Sequence, residues 1–71
     1  MKIYQDLVTH FGNQHKTAKA LDVSQPSVNA WVLGKTSMSA LVALKAEKAT
    51  QGIFKAQDLC LRIKNEVSTV Q

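Results

Sequence analysis

Residues 14–33, QHKTAKALDVSQPSVNAWVL, decide how this chain is read. Ala18 and Leu21 lie three apart on one side of a short amphipathic stretch. Val28, Trp31 and Val32 repeat the helical spacing in a second stretch. Asp22 and Val23 lie between the two, where a tight turn is expected. Ser24 is a good N-cap for the second helix, because its oxygen can accept from an amide in the first turn. Under that cap Pro26 falls in the first turn, where a missing N–H costs nothing. The reading is two short helices crossing steeply, with Ala18 small enough for close approach and Val23 anchoring the turn. This is the pattern of a helix-turn-helix.

The flanks extend the pattern. Tyr4, Leu7, Val8 and Phe11 sit at i, i+3, i+4, i+7, which predicts a first helix ended by Gly12. Asn13 can cap the second. Gly34 should stop the third. Ser37 or Ser39 would open a fourth helix whose apolar arc is Met38, Leu41, Val42, Ala46 and Ala49, with Leu44 outside it. Ile53 and Phe54 are expected to plug the connection after Gly52. A fifth helix is expected to carry Ala56, Leu59, Cys60, Ile63 and Val67 on one face. The expected fold is all-α: five short helices, with helices 2 and 3 forming the helix-turn-helix, in a single domain over residues 1–67 and a frayed tail over 68–71.

The chain has 71 residues, enough for one small domain. Nine Lys and Arg against five Asp and Glu give a formal net charge of +4, which suits a polyanionic partner. One Cys permits no intrachain disulfide, and a reducing, cytoplasmic setting (a bacterial host cell, if the partner is phage or bacterial DNA) is expected. No apolar run reaches the length of a membrane span, and the start shows no signal peptide. His10 and His15 do not share a helical face, so no metal site is expected. Cys60 lies on an apolar face and reads as core. No Gly-rich phosphate loop, carboxylate pair or activated nucleophile is legible, so neither an enzyme nor a cofactor or small-molecule site is expected.

The outward side of the third helix carries the functional signal. Ser24, Gln25, Pro26, Ser27, Asn29 and Ala30 form an uncharged, mostly polar face. Gln and Asn can make two contacts to adenine at N6 and N7, and Ser can reach several base edges. Pro26 offers only apolar contact. Charge is placed around this face: Lys16, Lys19 and Lys35, with Thr36 beside the last, can meet phosphates. His15 can bond a phosphate, and the amides near Gln14 can cradle one.

The stretch FGNQHKTAKALDVSQPSVNAW resembles the helix-turn-helix of the Cro repressors of lambdoid phages. AEKATQGIFKAQDL resembles the later part of the all-helical Cro and YdaS-like group. Together the two cover most of residues 3 to 60. The resemblance implies that Gln14 contacts a phosphate, Gln25 and Ser27 lie in the major groove, and Asn29 lies at its edge. It implies that Ala30 stands where some relatives contact a base. The family usually has Gly where this chain has Asp22. A transcriptional repressor acting on a pseudo-palindromic double-stranded operator is the implied function, with a homodimer as the acting species. Leu61, off the apolar stripe of helix five, is the candidate dimer contact. The competing readings are another small regulator, an activator or antitoxin, and a helical protein-interaction module. Against the last, Gln, Ser and Asn make poor protein hot spots.

Overall fold

The computed structural model describes residues 2–60. It contains α1 (Lys2–Phe11), α2 (Gln14–Leu21), α3 (Gln25–Val32), α4 (Ala40–Ala49) and α5 (Ala56–Leu59), and no strand among the described residues. The chain is all-α. The described residues fall into two compact units, divided between Ser37 and Met38.

In the first unit α1 packs on α2 and α3, and α2 packs on α3. Its core is Tyr4, Leu7, Ala18, Leu21, Val28 and Trp31, all at most 5% exposed. The Tyr4 and Trp31 rings meet at 6.1 Å with a 38° tilt, tying the back of α3 to α1. Phe11 and Val32 are half-buried at the margin. Gly12, at φ 115°, ends α1 as expected, its N–H donating to the Val8 carbonyl at 2.9 Å. Thr17, which the apolar pattern does not mark, is fully buried. Its Oγ1 donates back to the Asn13 carbonyl at 2.8 Å, so the hydroxyl is satisfied within its own helix.

In the second unit α4 packs against α5. The buried set there is Met38, Ala43, Ala46, Thr50, Ala56, Leu59 and Cys60. This corrects the expected inner arc of α4. Leu41 is 66% exposed and Ala49 is exposed, whereas Ala43, absent from that arc, is completely buried. Small side chains let helix backbones approach closely, so the alanine side of α4 faces inward and the leucine side faces out. Ile53 is no plug either, at 69% exposed; Phe54 is half-buried. The fifth helix was expected to run on through Cys60, yet it ends at Leu59, and Cys60 has extended backbone at φ −117°, ψ 109°. One turn already places Ala56, Leu59 and Cys60 together, so their spacing does not demand a longer helix. Leu61, Ile63 and Val67 lie outside the described residues.

The AEKATQG segment is a corner held by polar groups. Thr50 Oγ1 donates to the Ala46 carbonyl at 2.8 Å and accepts from the Phe54 N–H at 3.2 Å. Gln51 takes the left-handed conformation at φ 54°, and Gly52 N–H closes onto the Glu47 carbonyl at 2.8 Å. Glu47 Oε1 then accepts from Ala56 N–H at 2.7 Å, capping α5 from another helix because Lys55 makes no side-chain cap. A bond from an amide to a carboxylate contributes more than a neutral one. Glu47→Ala is therefore expected to lower stability by about 1–2 kcal/mol, since the site is only half-buried. Denaturant unfolding checks this; a change within about 0.5 kcal/mol would remove Glu47 from the account.

Candidate nucleic-acid interface

Two caps and one left-handed residue set the α2–α3 geometry. Asn13 Oδ1 accepts from Lys16 N–H at 2.8 Å and starts α2. Asp22, at φ 56° and ψ 48°, ends it. There Val23 N–H donates to the Ala18 carbonyl at 3.0 Å and Asp22 N–H to that of Lys19 at 3.4 Å. This pair of closing bonds normally forms around a left-handed glycine. Asp tolerates that backbone better than most residues, which explains how this chain turns without one. Ser24 Oγ accepts from Ser27 N–H at 3.3 Å and lies 2.9 Å from the Ser27 hydroxyl. Pro26 sits in the first turn of α3, as the sequence suggested.

These constraints leave one side of α3 outward. Val28 and Trp31 are buried, whereas Ser24, Gln25, Pro26 and Asn29 are exposed and Ser27 and Ala30 half-buried. Across the turn Gln14 Nε2 donates to Asn29 Oδ1 at 3.4 Å. Among the described residues Gln14, Gln25, Pro26 and Asn29 line one open depression of about 410 Å³. The structure thus joins one expected phosphate-contacting residue, Gln14, to three expected base-contacting ones. Ser24 and Ser27 are engaged with each other at the helix start. Ala30, one residue past Asn29, is not among those lining residues.

The expected phosphate set is spread around this face. His15, Lys16 and Lys19 are exposed on α2. Lys16 runs alongside Gly12, whose added Cβ would lie 3.2 Å from Lys16 Cδ. Lys35 and Thr36 are exposed beyond the other end of α3. Neither α2 nor α3 has an acidic residue in its first turn. Sequence reasoning missed the Gln14–Asn29 bond. The signal was present but faint: two amide side chains on the outward faces of helices expected to cross.

A family model described as bacterial toxin YdaS matches residues 4–66. The chain belongs to the YdaS family. This is a Cro-like helix-turn-helix group, as the two quoted stretches suggested. The chain is also similar to the regulatory protein Cro of Pseudomonas phage D3, with 52% identity over 58 residues, 82% of this chain and 80% of that one. No solved structure gives a significant match. The YdaS match spans both the α2–α3 turn and the Glu47–Thr50 corner. No described helix is long and apolar enough to cross a membrane, and no described cluster of His, Cys, Asp and Glu could hold a metal.

Proposed function

We propose that this YdaS-family protein is a non-enzymatic, DNA-binding regulator of the phage Cro kind, which lays α3 in the major groove of its operator. The observation that carries the reading is the face of α3. It is held outward by buried Val28 and Trp31, and presents Gln25, Pro26 and Asn29 with no charge on the helix. Neutral amides discriminate base edges, while Lys16, Lys19, Lys35, His15 and Thr36 around them meet phosphates. Ser24 and Ser27 order the start of the helix and can still reach a base through their remaining hydrogen-bonding capacity. Ala30 offers a methyl to a thymine methyl. The similarity to a phage regulatory protein supports repression of transcription, achieved by occupying the operator and excluding polymerase.

An eight-residue recognition helix reaches few base pairs, and a single module of this size buries only about 600–1,000 Å² on DNA. Two copies on a two-fold operator overcome that limit. The Leu61 contact proposed for such a dimer lies outside the described residues.

Duplex binding at rising salt tests the reading. The logarithm of affinity should fall linearly with the logarithm of salt concentration, and Lys19→Ala should weaken all sequences alike while flattening that slope by about one. No measurable duplex binding at about 50 mM salt contradicts the proposal.

The family's description as a bacterial toxin favours a second reading, in which DNA occupancy in a host cell arrests growth. Expression in a host separates the two. Growth arrest that Gln25→Ala relieves supports it; arrest untouched by changes on α3 places toxicity elsewhere.

A further inference from the structure

We propose that Gln14 determines which base edge Asn29 selects, by holding the Asn29 amide in one of its two orientations. The inference rests on the groove-reading role of α3 and makes Gln14 a positioning residue. A primary amide presents an acceptor oxygen on one side and two N–H donors on the other, so a half-turn of the amide exchanges what it shows a base. In this structure Gln14 Nε2 donates to Asn29 Oδ1 at 3.4 Å. The oxygen is thereby turned toward α2. The Asn29 Nδ2 donors are left on the opposite side.

Asn29 is exposed, and together with Gln14, Gln25 and Pro26 it borders open space of about 410 Å³. Its amide is therefore held by a partner rather than by close packing. An outward donor meets acceptors on the major-groove edge: purine N7, guanine O6 or thymine O4. It is refused by the amino group of cytosine, which is a donor. A free Asn29 would turn either side outward and discriminate less. Gln14 keeps a carbonyl oxygen and a second N–H, so it can meet a phosphate as well.

The test is selection of bound sequences from a random duplex pool with the full chain and three variants. In Gln14→Glu a carboxylate would accept from Asn29 Nδ2 and reverse the amide. The expected result is that one operator position changes from disfavouring cytosine to favouring it, by about three- to ten-fold. Asn29→Asp, which can only accept, should shift the same position the same way whatever its total affinity. Gln14→Ala should flatten that position and leave the others intact. If Gln14→Glu weakens every sequence equally, as adding charge beside a phosphate would, the inference is overturned. A preference unchanged in Gln14→Glu overturns it too, while the wild-type motif stands. A wild-type pool with no motif overturns the groove reading itself and this inference with it.

Discussion

Trp31→Ala should lower stability by about 3–5 kcal/mol, the largest effect expected of any single change in the first unit. Trp31 is 5% exposed and lies on the inner side of α3, with Tyr4 across from it at 6.1 Å. Truncation would leave a cavity where α1 meets α3 and remove the aromatic pair. A chain of 71 residues is expected to have about 4–10 kcal/mol of stability in total, so this loss is a large part of it. Thermal unfolding followed by circular dichroism should show a midpoint at least about 12 °C lower. Operator binding should fall with the folded fraction, because α3 is held in place from behind. Trp31→Phe should recover much of the loss. A cost under about 1 kcal/mol for Trp31→Ala would mean that α3 does not depend on this packing.

Gln25→Ala should act on recognition instead of stability. Gln25 is the first residue of α3 and is exposed, so its truncation removes little packing. At the preferred operator it should cost about 1–3 kcal/mol and relax preference at one base pair. Affinity for random duplex should stay as it was. Competition binding, with operator and random duplex at the same salt, separates the two effects. Equal weakening on both would make Gln25 a phosphate contact like Lys19. No change on either would remove it from the face that touches DNA.

The first three helices were legible in the sequence because each carries its own punctuation. Gly12, Asn13, Ser24 and Gly34 bound them, and Asp22 could take the left-handed turn. Only the apolar face of each helix had then to be chosen. In α2 and α3 the outward residues are polar, so that choice had one answer. In α4 it did not. Leu41 and Ala49 were expected inside with Ala46, yet Ala43 and Ala46 are buried while Leu41 and Ala49 are exposed. Periodicity counts apolar residues and does not know how closely a neighbouring helix approaches. The corner after α4 was hidden for a different reason. Glu47 reads as one more charged surface residue until Ala56 N–H is found 2.7 Å from its Oε1.

The candidate site was legible by residue type and less so by pairing. Gln14, Gln25 and Asn29 were separately expected at DNA. Their meeting around one depression depends on the α2–α3 crossing, which no spacing rule supplies. The exposure of Leu41 on α4 was likewise beyond the pattern, whereas that of Leu44 was expected.

The uncharged face of α3 is expected to select a DNA sequence. Selection from a random duplex pool at about physiological salt is the decisive measurement. The expected result is an enriched motif in two halves related by a two-fold axis, centred about one helical turn (10–10.5 base pairs) or a multiple of it apart. A pool that binds yet enriches no motif would contradict this and leave only a basic protein that holds phosphates.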